Sequence, residues 1–187
     1  MTAALRVLFD QNCVNARGTD QELREVQRLH DEGRIVLVAN LRNRLELGPT
    51  GRDGPAKVRM RERLALFEET KEVFRLGVSP LGEAVLADAT EEGSDAVNPV
   101  AVWSVVFPGS PFQIGGQPMD SGQNSLHDVM YIVNAHESDV DVFLTREKAL
   151  LSAGSRLRSE LGLRPTIESP RTLLLRFAKA TDPVGGS

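Results

Sequence analysis

The stretch from Asn124 to Leu151 constrains the fold more than any other, because its hydrophobic period changes within one short run. Leu126, Val129, Met130 and Val133 recur at the 0, 3, 4, 7 spacing of a single apolar helical stripe. Val140 to Leu144 is then short, β-branched and apolar, the composition of a strand buried on both faces. Thr145 ends that strand and caps a second helix, which Glu147, Ala149, Leu150 and Leu151 begin. Helix, strand and capped helix make one repeat of an α/β sheet. The repeat carries Asp128 near the start of its first helix and Glu147 just beyond its strand.

The amino-terminal part reads as a second unit of the same kind. Leu5 to Phe9 is an apolar strand running into Asp10-Gln11-Asn12, which puts Asp10 at its carboxyl end. Thr19 and Glu22 have capping-box spacing, Leu23, Val26 and Leu29 form an apolar stripe, and Gly33 is a natural stop. Arg34 to Ala39 follows as a second strand, so the segment predicts a right-handed parallel crossover.

Asn40 to Leu47 turns into a short helix carrying Glu46. Gly48 to Pro55 is a loop by composition, and a long helix from Pro55 reaches to about Leu76. Pro99 tips the apolar run Val97 to Phe107 towards helix, and Pro108 to Gly122 reads as an irregular surface loop. Downstream, Gly162 ends the helix after Glu147, Thr166 to Glu168 is a short edge strand, and Ser169-Pro170 opens a final helix that buries Leu173, Leu174 and Phe177. The expected architecture is three-layer α/β/α around a central parallel sheet of four to five strands. Residues 1–180 form one domain with a long middle insertion at about 77–123, and 181–187 form a flexible tail.

At 187 residues the chain suits one well-cored domain, and its 41% hydrophobic and 26% charged residues argue against disorder. No apolar run is long enough for a membrane span and no signal segment opens the chain. With Cys13 the single cysteine, a reducing, cytoplasmic setting is the expectation. The net charge of -4 means that any nucleic acid must be met by a local patch. Arg42, Arg44 and Arg59 belong to the one local excess of positive charge, which reads either as a solvated helix face or as a phosphate-contacting surface.

If the strands are parallel, Asp10 and Glu147 emerge at the same carboxyl edge. Asp128 leans over that edge from the preceding helix, and Glu46 joins from the short helix after the second strand. Carboxylates this close repel and raise one another's pKa unless a cation sits among them. Magnesium or manganese fits a set of hard oxygen donors, whereas no Cys/His cluster has zinc spacing. The expected metal ligands are Asp10, Asp128 and Glu147, and the chemistry they suit is phosphodiester hydrolysis by an activated water. Asp139 and Asp141 precede the strand by a distance that places them at the wrong edge.

Each acid also has a plainer reading. Ser125 and Asp128 have capping-box spacing, Asp10 suits a turn, Glu147 suits a helix first turn, and Glu62 competes with Glu46.

Several short matches, in order, resemble the PIN domain, a family of metal-dependent nucleases. That family begins with a strand followed by an Asp-x-Asn step, matched by Asp10 and Asn12. An Asp begins its helix before a central strand, matched by Asp128, and the strand ends in a Phe-Leu-Thr-Arg-Asp-Lys-like string. Here that string is Phe143-Leu144-Thr145-Arg146-Glu147-Lys148, with Glu147 in place of the family's Asp. The resemblance implies an endonuclease acting on RNA, with DNA as the alternative. In it Asn12 and Thr145 hold carboxylates and water by hydrogen bonds, and Arg146 touches substrate phosphate. An antitoxin-like protein partner is a further expectation from the family, and a homodimer is a separate expectation for the chain.

Two other hydrolase-like or signalling folds with strand-end acids fit less well. A haloacid-dehalogenase-like phosphatase wants Asp-x-Asp, but the second position is Asn12; a response-regulator-like receiver wants an acidic pair at the first strand, and Thr2-Ala3-Ala4-Leu5 offers none. The serious rival is a PIN-like fold that binds RNA or a protein and has lost turnover.

Overall fold

The apolar runs at Leu5, Arg34 and Val140 become neighbouring parallel strands, and described helices cover both faces of the sheet they form. The structure is a computed structural model that describes residues 4–16, 18–39, 68–69, 97–112 and 121–181. In chain order the elements are β1 (Leu5–Phe9), α1 (Gln11–Ala16), α2 (Gln21–Asp31), β2 (Ile35–Ala39), β3 (Glu68–Glu69), α3 (Pro99–Val106), α4 (Ser121–Glu137), β4 (Val142–Leu144), α5 (Lys148–Leu161), β5 (Thr166–Glu168) and α6 (Pro170–Thr181).

Every pairing in the sheet is parallel, in the order β3-β2-β1-β4-β5, with β3 only a two-residue edge. Register partners Leu5 and Ile35, Val7 and Val142, and Leu144 and Glu168 tie the four longer strands together. A parallel strand is covered on both sides, so the central strands are nearly continuous apolar runs. Leu8, Val38 and Phe143 project to one face and pack under α3, α4 and α5. Val7, Phe9, Leu37, Val142 and Leu144 project to the other and pack under α1, α2 and α6. The result is the expected three-layer α/β/α arrangement. Among the described residues no helix is long and apolar enough to cross a membrane.

Local signals held at most boundaries. β1 and β5 have the expected ends, Pro99 and Pro170 open helices, and Gly33 and Gly162 take the left-handed backbone (φ 70° and 66°) that stops α2 and α5. Four readings need correction. Asp20, not Thr19, caps α2: its Oδ1 accepts the Leu23 N–H at 3.0 Å, while the Thr19 hydroxyl donates to the Ala16 carbonyl and closes the turn before it. The helix expected to run to Leu76 is not continuous, because Glu68 and Glu69 pair as strand with Val38 and Ala39. Thr145 does not cap α5; the capping position is Glu147, whose side chain makes no capping bond. Most consequential, α4 starts at Ser121, seven residues before Asp128, so Asp128 lies inside the helix and does not open it.

Glu46, Arg42, Arg44 and Arg59, with the short helix expected at Asn40 to Leu47, lie outside the described residues, as do 113–120 and the tail beyond Thr181. α3, from within the stretch expected as an insertion, sends Val102 and Trp103 into the core.

Candidate active site at the carboxyl edge

The sheet's ladder continues one step past its strands. The Asp10 N–H donates to the Leu144 carbonyl at 2.9 Å and the Thr145 N–H to the Glu168 carbonyl at 3.0 Å, which sets Asp10, Thr145 and Glu168 side by side along the carboxyl edge. β1 hands Asp10 directly to α1, whose Cys13 and Val14 N–H groups bond the Asp10 carbonyl. β4 hands Thr145 and Glu147 to α5. Two acids remote in sequence therefore reach one edge through strand pairing alone.

Hydrogen bonds hold them there. The Thr145 hydroxyl, fully buried, donates to Asp10 Oδ2 at 2.8 Å and accepts the Glu147 N–H at 3.0 Å. Asn12 Nδ2 donates to Glu147 Oε1 at 2.7 Å. Asp10, Asn12, Thr145 and Glu147 thus form one connected set. Asp10 is only 2% exposed. Burial pushes its carboxyl above the ordinary range, and the charge of Glu147 adds to the rise. Thr145, with the backbone N–H groups of Asn12 and Gln11, pulls the other way.

Asp128 is half-buried on α4. From Asp128 to Glu137 the helix descends roughly 13 Å, at about 1.5 Å per residue. The chain then climbs about 13 Å from Val140 to Leu144, at about 3.3 Å per residue. By length alone α4 is long enough to reach back to the height of the carboxyl edge at Asp128, although Asp128 does not open the helix. Among the described residues, no three Asp, Glu, His or Cys side chains are gathered closely enough to hold an ion as a preformed group.

Other residues take definite positions. Arg146, expected at substrate phosphate, pairs with Asp20, and its Nη2 lies 3.7 Å from Glu22. Asp141 accepts the Arg6 N–H at 2.8 Å and Asp139 pairs with Arg164, both at the amino edge, where the strand count put them. His136 accepts the Arg164 N–H at that same edge, and His30 Nδ1 accepts from Leu37 beside the start of β2.

Glu168 was not singled out by sequence. It is buried, its Oε1 accepts from Thr166 at 2.7 Å and Arg176 at 2.6 Å, and its Oε2 has no hydrogen-bond partner among the described residues. Its carboxylate pairs with Arg176 on α6. An acid ending a three-residue edge strand gives no local sign of burial, so no sequence signal would have found it.

No protein-family model matches the chain, and neither a curated protein nor a solved structure matches it.

Proposed function

We propose that the carboxyl edge binds Mg²⁺ or Mn²⁺ and that the protein is an endonuclease hydrolysing phosphodiester bonds, with RNA as substrate. One observation carries the proposal: the buried carboxylate of Asp10 and that of Glu147 are held together by Thr145 and Asn12 despite their mutual repulsion. A divalent cation relieves that repulsion. The donors fit, since they are all oxygens and Mg²⁺ commonly takes one or two carboxylates and keeps its remaining waters.

Asp10 and Glu147 bind the ion, with Asp128 reaching the edge from α4 and Glu46 as the fourth acid. Thr145 fixes Asp10 Oδ2, and Asn12 fixes Glu147 Oε1, so Glu147 Oε2 is the oxygen that would meet a ligand. When bound, the cation lowers the pKa of a water and stabilises charge on phosphate. Arg42, Arg44 and Arg59 supply the substrate contacts in this reading. The PIN-domain resemblance of Asp10-x-Asn12 and Phe143 to Lys148 supports RNA over DNA. It also brings the antitoxin-like partner, a homodimer stands beside it as a separate part of the proposal, and the single cysteine supports a cytoplasmic setting.

Purified protein with Mn²⁺ is expected to cleave single-stranded RNA, and Asp10→Ala and Asp128→Asn to abolish cleavage. Wild-type protein that cleaves no more than Asp10→Ala, with metal and across varied RNAs, leaves the second reading, a PIN-like module that binds RNA or protein without turnover. That reading draws on Glu147, whose extra methylene and bond to Asn12 set its carboxylate differently from an Asp.

A further inference from the structure

The turn between β4 and α5 is anchored residue by residue to three different places. Thr145 is bonded to Asp10 at the end of β1, Glu147 to Asn12 on α1, and Arg146, between them, to Asp20 at the start of α2. The first and last of these contacts lie inside the proposed site. The middle one joins Arg146 to a residue outside that set.

Asp20 is suited to the work, because its two oxygens do different jobs. Oδ1 accepts the Leu23 N–H and caps α2, and Oδ2 takes the Arg146 guanidinium. The cap pins the carboxylate to a rigid eleven-residue helix, so the ion pair fixes Arg146 to that helix too. The Leu23 N–H, and after it Arg146, hold the Asp20 carboxyl below the usual carboxylate range, so it is charged at neutral pH. Glu22, one residue into the helix, backs it up. The Arg146 side chain is 38% exposed and that of Asp20 21%, so solvent screens the pair and it adds little to overall stability. What the pair governs is position. Glu147 is exposed on a turn and would otherwise drift from Asp10, whose charge repels it.

We propose that Asp20 is a positioning residue for the site: by holding Arg146 against the start of α2 it sets the β4–α5 turn so that Glu147 stays on Asn12 and beside Asp10. Its role at an ion rests on the metal-site reading, but the clamp itself does not.

The test compares full-length wild type with Asp20→Asn, the double variant Asp20→Asn/Glu22→Gln, Arg146→Met and Arg146→Lys. Asn is as good a cap as Asp, so α2 stays capped while the charge is lost. The Asn12 side-chain amide, followed by ¹⁵N-correlated NMR without metal, reports the Asn12–Glu147 bond directly. Its two proton resonances should move towards those of a free asparagine in the double variant and in Arg146→Met, and stay near wild type in Arg146→Lys. Thermal midpoints should change by only a few degrees throughout. Mn²⁺ affinity should fall about three- to tenfold in the same two variants, and kcat should fall more than KM rises. Asn12 resonances unchanged in the double variant would overturn the clamp. Wild-type protein that binds no Mn²⁺ would instead remove the metal site, and the Asn12 resonances would still decide the clamp.

Discussion

The Thr145 hydroxyl donates to the Asp10 carboxylate across 2.8 Å, joining the ends of two strands whose residues lie 135 apart in the chain. That bond sits in a fully buried position and is the strongest of the influences keeping the Asp10 carboxyl from rising further. Residue 145 thus links the sheet's geometry to the acidity of the site.

Replacing Thr145 with Val keeps the shape and removes the hydroxyl. Asp10 Oδ2 and the Glu147 N–H then both lose a partner, and the expected cost is about 1–3 kcal/mol in denaturant unfolding. Thr145→Ser, which keeps the hydroxyl, should recover most of it. The Asp10 carboxyl should also titrate at higher pH in the Val variant, as read by ¹³C NMR of the side chain.

Asp10 should cost the apo protein stability at neutral pH. Its folded pKa is raised, chiefly by burial, so the folded state prefers the protonated form. The associated stability is fully present below the unfolded pKa of about 3.9 and is lost as pH rises through the folded value. Asp10→Asn has no such loss. Its thermal midpoint should exceed that of metal-free wild type at pH 7, each kcal/mol being worth about 2–4 °C in a chain of this size. The advantage should vanish below about pH 4, where wild type is protonated in both states. An Asn variant less stable than wild type at pH 7 would contradict the raised carboxyl.

Cys13 should be inert in the native state. It is fully buried against α2 and β1, and burial, reinforced by the charge of Asp10, pushes its thiol up to about 12. The thiolate is the reactive form, so a thiol reagent at pH 8 should label denatured protein fully and native protein only at the rate of opening. Fast native labelling would mean that Cys13 is not buried as described.

Strand positions were legible in the sequence because a parallel strand announces itself by a mostly apolar run, unbroken at Ile35 to Ala39 and interrupted once, by Arg6, at Leu5 to Phe9. The same was true wherever Gly or Pro punctuates a helix, as at Gly162, Pro99 and Pro170. Asp128 was misplaced because Ser125 and Asp128 mimic a helix start, while the true first turn, Ser121 to Asn124, is polar and lacks periodicity. β3 was hidden for a related reason. Two glutamates have no strand preference of their own, and only pairing with Val38 and Ala39 makes them strand. Asp10 and Glu147 could be brought together from topology, whereas Arg146's choice of Asp20 depends on a side-chain direction that no spacing encodes.

The claim that most needs testing is that Asp10 and Asp128 serve one ion although they come from different layers. Mn²⁺ binding, followed by calorimetry on wild type, Asp10→Asn and Asp128→Asn, tests it directly. The account predicts saturable binding by wild type and at least a tenfold loss of affinity in each variant. Wild-type affinity in Asp128→Asn, with loss confined to Asp10→Asn, would show that α4 takes no part, and the shared site would have to be abandoned.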